Sequence, residues 1–372
     1  MIPNRFNIVT DGQWGSTGKG LITTALASIH KPEILSTTNM ANAGHTAVWD
    51  SDRKFIAKAL PSAAALKTWM DDYNPTIVIG PSAALHIDQL LKEIDETKTE
   101  DLIIHPRSGV ITKDHQTSEC DLDSGTKHIA STMQGCGAFL ADKIMRRKEL
   151  KLARDYDELD KYVYKGDSLP QTLYNRIMYE DHTMLHEGSQ GFSLDINHGS
   201  HYPNCTSRGT TAIQNVADMG LPLHCVGDIY LVIRPYPIRV GNVVENDKVV
   251  GHSGGCYDDH EEMTWEQIMA DSGAPESIAN NICKTELTTV TKRLRRAFGF
   301  SNKQLKQAVL SNGATKIALN FANYIDWSCY QCNEYEKLPT KVMDFIHMVE
   351  DNAGIPVSVV GTGPNNNDIC VL

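Results

Sequence analysis

The sequence predicts an α/β protein: a single large domain, residues 1–372, built around a mostly parallel sheet with insertions. Two observations predict it. Short apolar runs of strand character alternate with amphipathic helical stretches along most of the chain. The polar loops that carry glycine, histidine and arginine mostly follow such runs, as expected where functional groups gather at the carboxyl edge of parallel strands.

In chain order, Ile8 and Val9 open a strand that drops into the loop DGQWGSTGKG and then a helical pattern. TIVIG (76–80) reads as a buried strand, followed by a helix with Ile87, Leu90, Leu91 and Ile94 on one face and Ser82 as its cap. Leu102–Ile104 is a further apolar run, and the charged stretch Arg146–Lys165 reads as a solvated helix pair. TMLHEGSQG (183–191) and DIYLVIR (228–234) each end a strand in a polar loop. Lys316–Phe321 follows a helix stopped by Gly313, and Val357–Val360 leads into GTGPNNND. No internal repeat or linker interrupts the series.

Composition narrows the function classes. With 41% hydrophobic residues a sizeable core is within reach. No apolar run approaches the roughly 18 residues of a membrane span, and MIPNRFNIVT has no apolar signal core. Nine scattered cysteines without framework spacing read as reduced thiols, so a soluble cytoplasmic enzyme is expected. A net charge of −11 disfavours binding to a nucleic-acid backbone but not to a mononucleotide in a local basic pocket.

The first loop carries the most chemistry. It misses the P-loop pattern twice: Gln13 sits where the first glycine belongs, and Gly20 rather than Ser or Thr follows Lys19. The physics of the motif survives. Gly15, Gly18 and Gly20 let backbone N–H groups approach phosphate oxygens at a helix start, and Lys19 adds charge.

The blocks Gly12-Gln13-Trp14-Gly15, Gly18-Lys19-Gly20 and Asn42-Ala43-Gly44-His45-Thr46 together resemble the adenylosuccinate synthetase family. Those enzymes phosphorylate O6 of a purine nucleotide with a nucleoside triphosphate, and the amino group of L-aspartate then displaces the phosphate. The resemblance spans nearly the whole chain. It continues through Ile129–Thr132, Glu187–Gly191, Thr206-Ser207, Val290-Thr291 with Arg293, Arg295 and Arg296, and Gly361–Pro364.

The resemblance implies roles residue by residue. Ser16, His45 and Gln190 fall at the catalytic centre, with His45 donating to the γ-phosphoryl group and the 6-phosphoryl intermediate. The donor nucleotide falls to Ser16, Thr17, Gly18, Lys19, Gly20, Gly44, His45, Thr46, Asn323, Gly361, Gly363 and Pro364. The substrate nucleotide falls to Ser16, Asn42, Ser131, Thr132, Gln190, Thr206 and Arg293, with Arg146 reaching its 5′-phosphate across a homodimer. Aspartate falls to Val290, Thr291, Arg293 and Arg295, although Lys292 stands where relatives have glycine. Mg²⁺ would take oxygens from Ser16 and Gly44.

Two departures point to a branch. Ser16-Thr17 replaces the family's Asp-Glu, removing the carboxylate expected beside purine N1 and the metal. Serine is shorter, leaves room beside purine C2 for a guanine amino group, and can accept from it. Asn323 replaces the aspartate with which relatives read the guanine of GTP; an amide also pairs with adenine's edge, so ATP or dATP becomes the expected donor. Phage-encoded relatives with this serine convert dGMP and aspartate to the succinyl precursor of 2-aminoadenine (diaminopurine) deoxynucleotides.

The alternatives are an ordinary enzyme acting on IMP with GTP, against which Ser16 and Asn323 count, and a catalytically inactive paralogue that binds purine nucleotides. Retention of Lys19, His45, Gln190, Arg146 and Arg293 counts against the second. The cluster HSGGCYDDHEE (252–262) matches no zinc spacing, and Cys329-x-x-Cys332 is a lone pair.

Overall fold

The computed structural model describes every residue except 121–125, 247 and 288–292, together with the side chains of 126 and 127. Nine strands form the central sheet: β1 (Phe6–Asp11), β2 (Ile34–Thr37), β3 (Thr76–Ile79), β4 (Leu102–Ile104), β5 (Met184–Glu187), β6 (Val226–Ile233), β7 (Lys316–Leu319), β8 (Val357–Gly361) and β9 (Ile369–Val371). Their order across the sheet is β9-β8-β7-β6-β1-β5-β2-β3-β4. All neighbours are parallel except β8 and β9.

Both faces of the sheet are covered, which is why its strands read as near-continuous apolar runs. Alternate residues serve opposite cores. Ile8, Leu231 and Leu319 face one core with Leu173, Val216, Leu305 and Ile346 of the covering helices. Val9, Val232 and Ala318 face the other with Ile22, Leu26, Leu90 and Ile94. Helix α1 (Lys19–His30) follows β1 directly, and a hairpin of His45–Val48 and Lys54–Ala57 packs beside its start.

Eight strands run parallel, so eight loops leave one edge of the sheet, and six of them carry the candidate site. These six follow Asp11, Thr37, Glu187, Ile233, Leu319 and Gly361, each the last residue of its strand. Ligands in open parallel sheets bind at that edge.

Two local expectations are corrected. Ser82 does not cap the following helix, which starts at Ile87 after an uncapped His86. Residues Ala84–Leu85 instead pair with Gly109–Val110, holding the chain extended past Ser82, whose hydroxyl accepts from Arg208. The stretch 146–165 is not a pair of solvated helices. It holds only short turns at Ala153–Asp155 and Asp157–Leu159, because Ala153, Leu159 and Val163 are drawn into the second core and residues 152 and 163 bridge to neighbouring strands.

Candidate active site

The glycine loop is organised from beneath by Asp11. Its buried carboxylate accepts from the backbone N–H of Gln13 at 2.8 Å and Gly15 at 3.2 Å, the Thr17 hydroxyl at 2.5 Å and the Lys19 ammonium at 2.9 Å. Lys19 also donates to the Gln190 carbonyl at 2.7 Å. The lysine is thus buried and paired below the loop, and Thr17 likewise faces the protein. Gly18 carries φ +84° and no side chain caps the start of α1, so the first N–H groups of the helix are left for an anion.

Close packing fixes the loop from above. A Cβ on Gly18 would run into the amide nitrogen of Asn320. That amide donates to the Thr17 carbonyl at 3.2 Å and lies equally close against Gly361. A Cβ on Gly20 would sit 2.8 Å from the Thr46 carbonyl and 3.1 Å from the His45 Cβ, so only glycine lets the hairpin reach the helix start. The C-terminal loop containing Gly361, Gly363 and Pro364 is pinned to the same region: the Asn366 N–H donates to Val48 and its side chain to Ser28.

His45 is buried with its Nδ1 2.8 Å from the Glu187 carboxylate, which is itself fully buried. Burial alone would raise the Glu187 carboxyl. The His45 charge and hydrogen bond, with the N–H and hydroxyl of Ser62, override it and hold the group below its ordinary value. The pair leaves Nε2 of His45 as the nitrogen for a ligand, backed by a carboxylate that steadies positive charge on the ring.

Beside this centre lies a cavity of about 410 Å³, within the range of small-ligand sites. Asn42, Ser131, Thr132, Gln190 and Thr206 line it, which brings together five of the residues expected for the substrate nucleotide. Gln190 takes the left-handed conformation at φ +63° and donates to Asn42 at 3.1 Å. Ser16 is exposed, with φ +55° and its carbonyl accepting from Arg234 at 3.2 Å. Gly191 packs against the Gly15 N–H, so the Ser16 loop and the Gln190 loop adjoin.

Asn323 is buried and its amide oxygen has no partner in the protein, a vacant acceptor suited to an amino group. Phe321 precedes it in the left-handed conformation at φ +61°. The arginines diverge. Arg293 donates to the Ala130 carbonyl at 2.9 Å, next to Ser131 of the cavity wall. Arg295 pairs with Glu286 at 2.7 Å, and Arg296 with Glu262 at 2.7 Å. Val290 and Thr291 lie outside the described residues. Arg146 is exposed at φ +54° beside the exposed Ile144 and Met145, and does not line its own chain's cavity.

Sequence reasoning missed several residues. Asp11 and the role of Glu187 were visible only as acidic residues ending apolar runs. Arg239, buried against Trp14 and lining the cavity, has its guanidinium lowered to about 10, first by burial and then by Arg296. In the 252–262 cluster Asp258 pairs with Lys303, Asp259 accepts from Ser301, and Glu262 pairs with Arg296. Among the described residues no group of three or more His, Cys, Asp or Glu could hold a metal, and no helix is long and apolar enough to cross a membrane.

The adenylosuccinate synthetase family profile matches residues 8–160 and 149–327. The N6-succino-2-amino-2'-deoxyadenylate synthase of Vibrio phage phiVC8 is 32% identical over 376 residues, covering 98% of this chain and 97% of that one. The adenylosuccinate synthetase of Methanocaldococcus jannaschii is 31% identical, covering 96% and 94%. Among solved structures, the cyanophage S-2L succinoaminodeoxyadenylate synthetase bound to dGMP and dATP as an energy donor superposes with a TM-score of 0.80 at 30% identity, over 99% of this chain and 95% of that one. By profile, sequence and architecture, the chain belongs to the adenylosuccinate synthetase family of carbon–nitrogen bond-forming ligases.

Proposed function

We propose that this enzyme condenses L-aspartate with C6 of dGMP, using ATP or dATP, to give N6-succino-2-amino-2'-deoxyadenylate, the nucleoside diphosphate and phosphate. The product is the precursor of 2-aminoadenine for DNA. The observation that carries the reading is Ser16: a small, exposed, neutral residue beside the Gln190 loop, where the family has an aspartate. The vacant acceptor of Asn323 favours an adenine donor, and near full-length similarity to the phage synthases supports both.

The chemistry runs in two balanced steps. O6 of the purine attacks the γ-phosphorus, the nucleoside diphosphate leaves, and the N1 proton is lost. The aspartate amino group then attacks C6, phosphate leaves from that carbon, and the amine gives up a proton. His45, oriented by Glu187, donates from Nε2 to the oxygen that gains charge in each step. The N–H groups at the start of α1 hold phosphate oxygens, with the buried Lys19–Asp11 pair fixing the loop from beneath. Gln190 orients O6 and Asn42 holds Gln190. Arg293, tied to the Ala130 carbonyl beside the cavity wall, would serve nucleotide and aspartate together, with Arg295 as a second guanidinium for the aspartate.

Mg²⁺ fits the donor set only as a guest of the triphosphate. The nearby carboxylates are committed, Asp11 to four donors and Glu187 to His45 and Ser62. That leaves the neutral Ser16 hydroxyl and Gly44 carbonyl, hard oxygens of the kind Mg²⁺ accepts alongside phosphate and water. When bound, the ion neutralises charge on the transferring phosphates. The working enzyme is taken to be a homodimer, one catalytic unit per chain, in the cytoplasm of a phage-infected host; nine free thiols are in keeping with that compartment.

The archaeal adenylosuccinate synthetases, equally similar in sequence, favour a second reading with IMP and GTP. A phosphate-release assay with aspartate and Mg²⁺, crossing IMP, GMP and dGMP with ATP, dATP and GTP, separates them. Turnover on dGMP with an adenine donor is expected, and Ser16→Asp should move preference toward IMP. Turnover confined to IMP, or an unchanged preference in the variant, overturns the reading.

A further inference from the structure

Arg234 is a fully buried cation with few polar ties. Its side chain donates to the Ser16 carbonyl at 3.2 Å, while Nε and Nη2 have no hydrogen-bond partner. The guanidinium lies 4.2 Å over the Phe321 ring, with Tyr324 at 5.6 Å and Trp265 at 5.8 Å. Its own backbone is clamped to the glycine loop by the Gln13 side chain, which donates to the Arg234 carbonyl at 3.0 Å and accepts from its N–H at 3.1 Å. The buried Glu286 carboxylate is its main counter-charge, but that group is already bonded to Arg295 and Tyr324, so charge balance alone does not explain why the guanidinium reaches the Ser16 carbonyl.

We infer that Arg234 is a positioning residue for acceptor specificity, fixing the Ser16 peptide in its left-handed conformation and thereby setting where the serine side chain meets the purine. A non-glycine residue at φ +55° is held against its local preference and needs an outside tie. Arg234 supplies that tie from 218 residues away. The same guanidinium stacks on Phe321, two residues before Asn323, so one side chain touches both the acceptor-reading loop and the donor-reading segment. The inference rests on the reading that Ser16 separates dGMP from IMP.

The test is calorimetric binding of dGMP and of IMP to the intact wild-type protein and to Arg234→Lys, beside a thermal melt. Lysine keeps the charge but has neither the planar face for stacking nor the rigid guanidinium that sets the donor on the carbonyl. The ratio of the two dissociation constants is expected to shift by roughly tenfold, about 1.4 kcal/mol. Equal weakening of both nucleotides would mark a purely structural role and overturn the inference. If Arg234→Lys loses its cooperative melt, Phe321→Leu, which removes the stacking face and leaves the arginine, is read the same way: a shifted ratio supports and an unchanged ratio overturns. Turnover on dGMP is scored separately. A shifted ratio without dGMP turnover fails the proposed reaction and keeps Arg234 in its role, and turnover with an unshifted ratio does the reverse.

Discussion

The carboxylate behind His45 shows how a single residue carries both stability and chemistry. Glu187 is held below its ordinary value of 4.5, so the native state binds its proton less tightly than the unfolded chain. Its stabilising contribution is therefore present above the ordinary carboxylate range and lost as pH falls through the depressed native value. Glu187→Gln should flatten the acid limb of stability, measured as urea midpoints from about pH 3 to 7, because that titration is gone. It should also cut turnover by about 10²–10⁴-fold, since His45 loses its orienting charge. An acid limb as steep as the wild type's would remove Glu187 from this account. That the loops of Ser16, His45 and Gln190 belong to one candidate site was legible in the sequence, because each stands in a dense motif whose chemistry depends on residue type. Asp11, Glu187 and Arg234 were not, because what they do depends on partners that only the fold brings near, such as Ser62 at 125 residues from Glu187.

At the scale of elements, the glycine loop, α1 and the His45 hairpin form one packed unit whose spacing is set at Gly20. A methyl group there would lie 2.8 Å from the Thr46 carbonyl and 2.9 Å from its N–H, and backbone cannot rotate out of the way as a side chain can. Gly20→Ala would gain about 1 kcal/mol of helix propensity. The displaced hairpin costs about 1–3 kcal/mol, so a net loss is expected. Turnover should fall further than stability does, because the hairpin carries His45. Unfolding in urea set against the rate of phosphate release checks this, and a variant more stable than wild type with normal turnover would refute it. Seven of the nine sheet strands were legible because burial on both faces makes their apolar runs unmistakable, as in TIVIG; Ile34–Thr37 and the antiparallel edge strand Ile369–Val371 were not. The helix expected to start at Ser82 and the helices expected over 146–165 were not, because short pairings with distant strands override local pattern there.

On the scale of the whole molecule, parallel order explains why motifs scattered from residue 12 to residue 364 converge: eight strands end at the same edge, and six of their loops carry those motifs. Fold and family were legible for that reason: strand after strand in the sequence ends in a polar motif, and parallel order brings those ends to one edge whatever their place across the sheet. One motif does not converge. Arg146 stands exposed at the end of the Cys136–Ile144 helix, flanked by Ile144 at 75% and Met145 at 63% exposure, a costly arrangement for an isolated chain. A two-fold partner would cover the apolar pair and carry the guanidinium to the neighbour's substrate phosphate. The prediction is complementation. Arg146→Ala and His45→Ala should each be inactive alone. Co-expressed in equal amounts, they should recover roughly a quarter of wild-type activity, since random pairing makes half the dimers mixed and each mixed dimer holds one intact site. Activity no greater than the sum of the two variants would place Arg146 outside the partner's site.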